Sequence, residues 1–128
     1  MALGTAACGQ GRALSPAAFS QAAKSVQSLA AEGALVAQDA AAGRSSAAYI
    51  RVHGAALSEA ASKSAAALRA EKSAPALAQR ARTLTALATR IAADLKRLEH
   101  ASSAEQRRLA QELASAAARS TKLAKEQS

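Results

Sequence analysis

Few side chains in this sequence are able to do chemistry. Cys8 is the single cysteine, so no disulfide can form within the chain. The two histidines, His53 and His100, do not fall into the HxxxH or HxxE spacings that put ligands on one helix face, and a zinc site needs three or four ligands. His53 falls in a helical spacing with apolar residues. That predicts a partly buried imidazole hydrogen-bonded to a serine or a backbone group. His100 is expected at a helix end, where the dipole favours a cation. Among the carboxylates, Asp94 and Glu99 fit surface pairing, and Glu59 and Glu71 lie beside Lys63 and Lys72. Serines and threonines are plentiful, but there is no GxSxG elbow and no glycine-rich phosphate loop. The expectation is a protein that is not an enzyme, with no catalytic residue, no metal site and no cofactor.

Cys8 has a distinctive setting, Leu3-Gly4-Thr5-Ala6-Ala7-Cys8-Gly9-Gln10. At Thr5-Ala6-Ala7-Cys8 the chain resembles the lipobox of bacterial lipoproteins, over a motif of about seven residues in all. In that family a small pair precedes a cysteine that is lipidated and becomes the mature N-terminus after cleavage. Thr5 stands where the family usually has leucine. The resemblance implies Cys8 as the lipidated residue and the Ala7–Cys8 bond as the cleavage site. The charged start and apolar stretch of a signal peptide do not precede Cys8, so the resemblance implies that the seven residues before it are the tail of one. It also implies a cell-membrane or envelope location, with the membrane as partner through the lipid.

The basic residues are the third candidate. The chain carries 17 Lys plus Arg against 9 Asp plus Glu, a formal charge of +8. Arg80, Arg82, Arg90, Lys96, Arg97, Arg107 and Arg108 could neutralise phosphates. Single-strand readers also need aromatic platforms, and Phe19 and Tyr49 are the only aromatic side chains. Acidic residues are interleaved with the basic ones, so the charge reads as a solvated surface and argues against nucleic acid. Weak attraction to anionic headgroups or polyanions is the alternative use of such a face.

The elements that must position these residues are helices. Roughly a third of the chain is alanine, which has the highest helix propensity because it loses no side-chain entropy. Nothing reads as a strand run of Val, Ile, Thr and aromatics. Residues 1–14 contain Gly4, Gly9 and Gly11 and show no helical period, which predicts a flexible lead and tether. Four segments follow, each opening with serine. Ser15-Pro16 suits a capped start, and Phe19, Ala22, Val26, Leu29, Gly33 and Val36 then form one stripe, with Gly43 as a left-handed stop. Ser45-Ser46 opens the second, with Ile50, His53, Gly54, Leu57, Ala61, Ser64 and Leu68 on one face. Ser73-Ala74-Pro75 opens the third. There Leu77, Leu84, Ile91 and Leu98 recur every seven residues, and Ala81, Ala88 and Leu95 do so four residues on. Ser102-Ser103 opens the fourth, where Ser102 with Glu105 or Ser103 with Gln106 fits a capping box. Its stripe is Leu109, Leu113, Ala116, Ser120 and Leu123. Gly33 and Gly54, inside helices and on the apolar face, predict close helix–helix contact.

The predicted helices cover about 16–42, 46–72, 75–100 and 103–126, joined by short connections that make sequential helices antiparallel neighbours. The fold class is therefore all-α: an antiparallel up-down four-helix bundle with an Ala/Leu-rich core over residues 15–128. A dimer of long hairpins packs such alanine-rich faces equally well. Function is expected through helix-mediated contacts, with a protein partner or self-association. The cell-envelope lipoprotein is the leading reading, and a soluble cytoplasmic interaction module or a polyanion-associated basic protein are the alternatives.

Overall fold

The structure, a computed structural model, describes residues 13–126. It is helical apart from one short pairing and contains four helices that pack as a bundle. These are α1 (Pro16–Ala41), α2 (Ala47–Ala70), α3 (Pro75–Leu98) and α4 (Ser103–Glu126).

The serine openings act as caps in three of the four places. Ser15 Oγ accepts from the Ala18 amide at 3.0 Å, and Pro16 follows it in the first turn. Ser46 Oγ accepts from the Tyr49 amide at 3.0 Å. Ser102 Oγ accepts from the Glu105 amide at 3.2 Å, which selects Ser102 over Ser103. The exception is α3, whose N-cap position is Ala74, with no side-chain hydrogen bond. At the other end of α1, Gly43 has φ +74°. The Arg44 amide donates to the Asp39 carbonyl at 2.8 Å and the Gly43 amide to the Ala40 carbonyl at 3.0 Å. These two bonds make a Schellman closure, which a residue with a side chain would strain.

The lead departs from expectation where it meets the bundle. Ala13–Leu14 (β1) pairs in parallel with Lys72–Ser73 (β2), with Ala13 opposite Lys72 and Leu14 opposite Ser73. Leu14 is buried in the core. The cause lies in the second connection. α2 stops at Ala70, two residues short of the predicted end, and Glu71 is extended at φ −93°, ψ 144°. Extended backbone has unpaired amide and carbonyl groups, and β1 satisfies them. Ser73 is thereby part of a ladder and does not cap α3.

The buried faces follow the predicted stripes with one rotation. Every predicted core residue of α3, from Leu77 to Leu98, is buried, and so is every one of α4. In α2, His53 and Ser64 are half-buried and the other stripe residues buried. In α1 the buried residues include Ala23, Ala30, Ala34 and Ala37, whereas Ala22 and Leu29 are only half-buried. α1 packs most extensively on α4 and α2 on α3, while α1–α2 and α3–α4 meet less. α4 also buries Ala110, Ala116 and Ala117. Interaxial distance depends on the side chains at the contact, so alanine lets two helices approach closely. The alanine-bearing side of α1 therefore faces inward.

Both interior glycines mark close approach. A Cβ at Gly33 would lie 2.8 Å from Leu95 Cδ2 and 3.5 Å from Leu113 Cδ1, and one at Gly54 would lie 3.5 Å from the Leu95 carbonyl oxygen. The first contact is too short; the second is ordinary van der Waals contact. Alanine at a helix interior is favoured over glycine by about 1 kcal/mol. Gly54→Ala is therefore expected to raise unfolding stability in urea by up to about 1 kcal/mol. A loss of stability would mean that α2 lies closer to α3 than this geometry gives.

Candidate functional site

The solvent side of α3 forms the floor of an open groove. Ala78, Arg82, Ala86, Thr89, Ala93 and Arg97 follow one another at spacings of three and four, and so share a face. Leu68, Arg69 and Glu71 from α2 and its end form one wall, and Arg108 and Glu112 from α4 form the other. The volume is about 1120 Å³. Small floor residues leave the space open, because the side chains that α3 turns to solvent here are mostly alanine and threonine.

The two ends of the groove differ in charge. At the Arg69 end the guanidinium groups bond neutral oxygens. Arg69 donates to Thr89 Oγ1 at 3.2 Å, and Arg82 donates to Gln79 Oε1 at 2.7 Å. Thr89 in turn donates to the Thr85 carbonyl at 2.9 Å. At the Arg97 end the cations meet carboxylates. Arg97 lies 3.5 Å from Asp94 Oδ1, while Arg108 reaches Glu112 at 2.8 Å and Glu105 at 3.3 Å.

Asp94 overturns its sequence reading as a surface residue. It is 5% exposed, on the seam between α3 and α4, and Glu112 faces it from α4. Burial pushes the Asp94 carboxyl above the ordinary aspartate value, and the Glu112 charge and its hydrogen bond add to the rise. Arg97 and Arg90 act the other way without cancelling it. A desolvated carboxyl beside a second carboxylate favours its protonated form, and here that group is Asp94. The missed signal was spacing: Asp94 stands three residues after Ile91 and four before Leu98, in the inward row of the helix.

The other residues singled out from sequence lie apart from this groove, except for part of the basic set. Cys8 lies outside the described residues. His53 is half-buried as expected, but its partner is a carboxylate: Nε2 lies 3.0 Å from Glu32 Oε2 on α1. Its ring stacks on Tyr49, with centroids 5.2 Å apart. The neighbouring helix α1 offers a side chain at that level, which the pattern of α2 alone cannot reveal. His100 sits just past α3, exposed, with Nε2 3.8 Å from Glu99 Oε1. Of the basic set, Arg82, Arg90, Arg97 and Arg108 line the groove. Arg80 instead donates to the Glu126 carbonyl at 2.8 Å. Leu35, Tyr49 and Val52 are exposed large apolar residues on α1 and α2. No group of three or more His, Cys, Asp or Glu among the described residues is placed to hold a metal ion.

No family model, curated protein or solved structure matches the chain. The chemistry of the groove must be read from its own groups. Guanidinium pairs recognise carboxylates or phosphates through forked donors, and the Asp94–Glu112 pair adds a site where protonation and packing are linked.

That linkage has a definite sign. A carboxyl that titrates higher in the folded protein contributes stability below its unfolded value, and loses it as pH rises through the folded value. Ionised Asp94 therefore weakens the fold at neutral pH. Asp94→Asn is expected to melt above the parent at about pH 7, with the gap closing as pH falls toward about 4. An asparagine variant that melts lower than the parent at neutral pH would refute the assignment.

Proposed function

We propose that this chain is a small non-catalytic helical protein of the cell envelope, tethered to a membrane by a lipid on Cys8 and acting through contacts on its helix faces. The observation that carries the reading is Thr5-Ala6-Ala7-Cys8, followed by Gly9-Gln10-Gly11 and then a helical body. No helix among the described residues is long and apolar enough to cross a membrane. In this reading attachment comes from the acyl group, whose buried methylenes each contribute about 0.8 kcal/mol.

The body belonging to this reading is an antiparallel, up-down bundle with a core rich in alanine and leucine. Cross-helix partners support the alternation, because they pair early residues of one helix with late residues of the next. His53 meets Glu32, Gly54 lies beside the Leu95 carbonyl, and Arg80 meets Glu126. The buried apolar residues are mostly Ala and Leu, which supports the stated core.

Metabolic labelling with a fatty acid in a bacterial host, with the chain expressed behind a complete signal peptide, tests the tether. The parent is expected to take up label and to sediment with membranes, and Cys8→Ala to do neither. An unlabelled parent found wholly in the cytosolic fraction would replace this reading with a soluble helical interaction module in which Cys8 is incidental.

A further inference from the structure

We propose that the groove along α3 receives an acidic helix from a partner protein. The inference rests on the contact-making part of the function proposed above and is independent of the lipid. It is carried by the shape of the groove together with its uneven charge.

The shape suits an elongated occupant. From Ala78 to Arg97 the floor follows α3 for about 28 Å, given a rise of about 1.5 Å per residue. Its small residues, Ala78, Ala86, Thr89 and Ala93, allow a further helix to lie close against α3, since side-chain size sets the separation of helix axes. The walls come from different helices, α2 on one side and α4 on the other. A helix laid between them would touch three elements at once.

The charge selects an anionic face. Arg69 and Arg82 hold their guanidinium groups by neutral oxygens of Thr89 and Gln79. Glu71 is the carboxylate lining that end of the groove. The Arg97 end is already matched internally by Asp94 and Glu112. Complementarity therefore calls for Asp or Glu on the occupant over Arg69 and Arg82, and few charges over the rest. Carboxylates three or four residues apart on a helix present such a face. Bidentate geometry makes arginine the stronger recogniser of them. A lipid surface fits less well, because the groove has no exposed bulky apolar side chain to insert; Leu35, Tyr49 and Val52 are not among its lining residues. Nucleic acid fits less well because no aromatic side chain lines it.

The test uses the full chain, unlipidated. A labelled alanine-rich helical peptide of about twenty residues, with glutamates spaced four apart, is titrated by fluorescence anisotropy at two salt concentrations. The glutamate peptide is expected to bind, and more weakly at high salt. A counterpart with lysine in place of glutamate is expected not to bind. The double variant Arg69→Ala/Arg82→Ala is expected to lose about tenfold in affinity, with circular dichroism checking that it stays helical. Arg51→Ala, on α2 outside the groove, is expected to bind like the parent. Failure of the glutamate peptide to bind at low salt overturns the proposal, as does equal binding by the lysine peptide or full affinity in the double variant. Tighter binding to phosphatidylglycerol vesicles or duplex DNA, lost in the same double variant, overturns it in favour of those partners. Self-association lost in that variant does so in favour of a second copy. Because the readout needs no acyl group, a negative result here leaves the fatty-acid labelling result standing, and the reverse also holds.

Discussion

All four helices meet around Leu95, and α1 closes on it because Gly33 has no side chain there. Gly33 on α1 faces Leu95 and Leu113, and Gly54 on α2 faces the Leu95 carbonyl. Leu95 is fully enclosed at 1% exposure. In a chain whose apolar content is mostly alanine, a leucine seated against glycine backbone is a dense contact. It compensates for the little that each methyl contributes. The close pairing of α1 with α4 and of α2 with α3 follows the same logic of small residues at the interface. So does the looser seam between α3 and α4, the seam at which Asp94 and Glu112 face one another.

This arrangement also explains where the groove comes from. α3 turns its leucines and Ile91 inward and leaves alanine, threonine and arginine outside. A helix with so clear a division has a bare outer face. The walls supplied by Leu68 and Arg69 on one side and by Arg108 and Glu112 on the other then turn a bare face into a groove. The net charge of +8 is thus not spread evenly. Part is cancelled locally, as at Arg108, which bonds two glutamates. Part stands over the groove on Arg69 and Arg82, where neutral oxygens orient the guanidinium groups without neutralising them.

The legible parts of the fold are those in which residue type carries orientation. The heptad of Leu77, Leu84, Ile91 and Leu98 identified the inner face of α3 because leucine and alanine differ in size. In α1 the pattern was ambiguous, since Ala22 and Ala23 are the same residue and only packing against α4 decides between them. The caps at Ser15, Ser46 and Ser102 were legible because capping is local chemistry. The pairing of Ala13–Leu14 with Lys72–Ser73 was not, because nothing in either dipeptide announces a partner some sixty residues away. The groove itself was readable in part: Arg82, Arg90, Arg97 and Arg108 stood out as members of a basic set, but Arg69, contributed by another helix, did not. Asp94 was hidden by its charge, which argues for solvent, although its spacing placed it in the apolar row.

A double-mutant cycle at the meeting point tests the central claim most directly. It pairs Gly33→Ala with Leu95→Val, the second of which removes the Cδ2 atom that a Cβ at Gly33 would approach to 2.8 Å. If the absence of that side chain is what lets the helices close, Gly33→Ala is more favourable in the Leu95→Val background than in the parent. The expected coupling measured by urea unfolding is about 1 kcal/mol. Additive effects of the two changes would contradict the account, since they would mean that Gly33 and Leu95 do not share the space on which the packing depends.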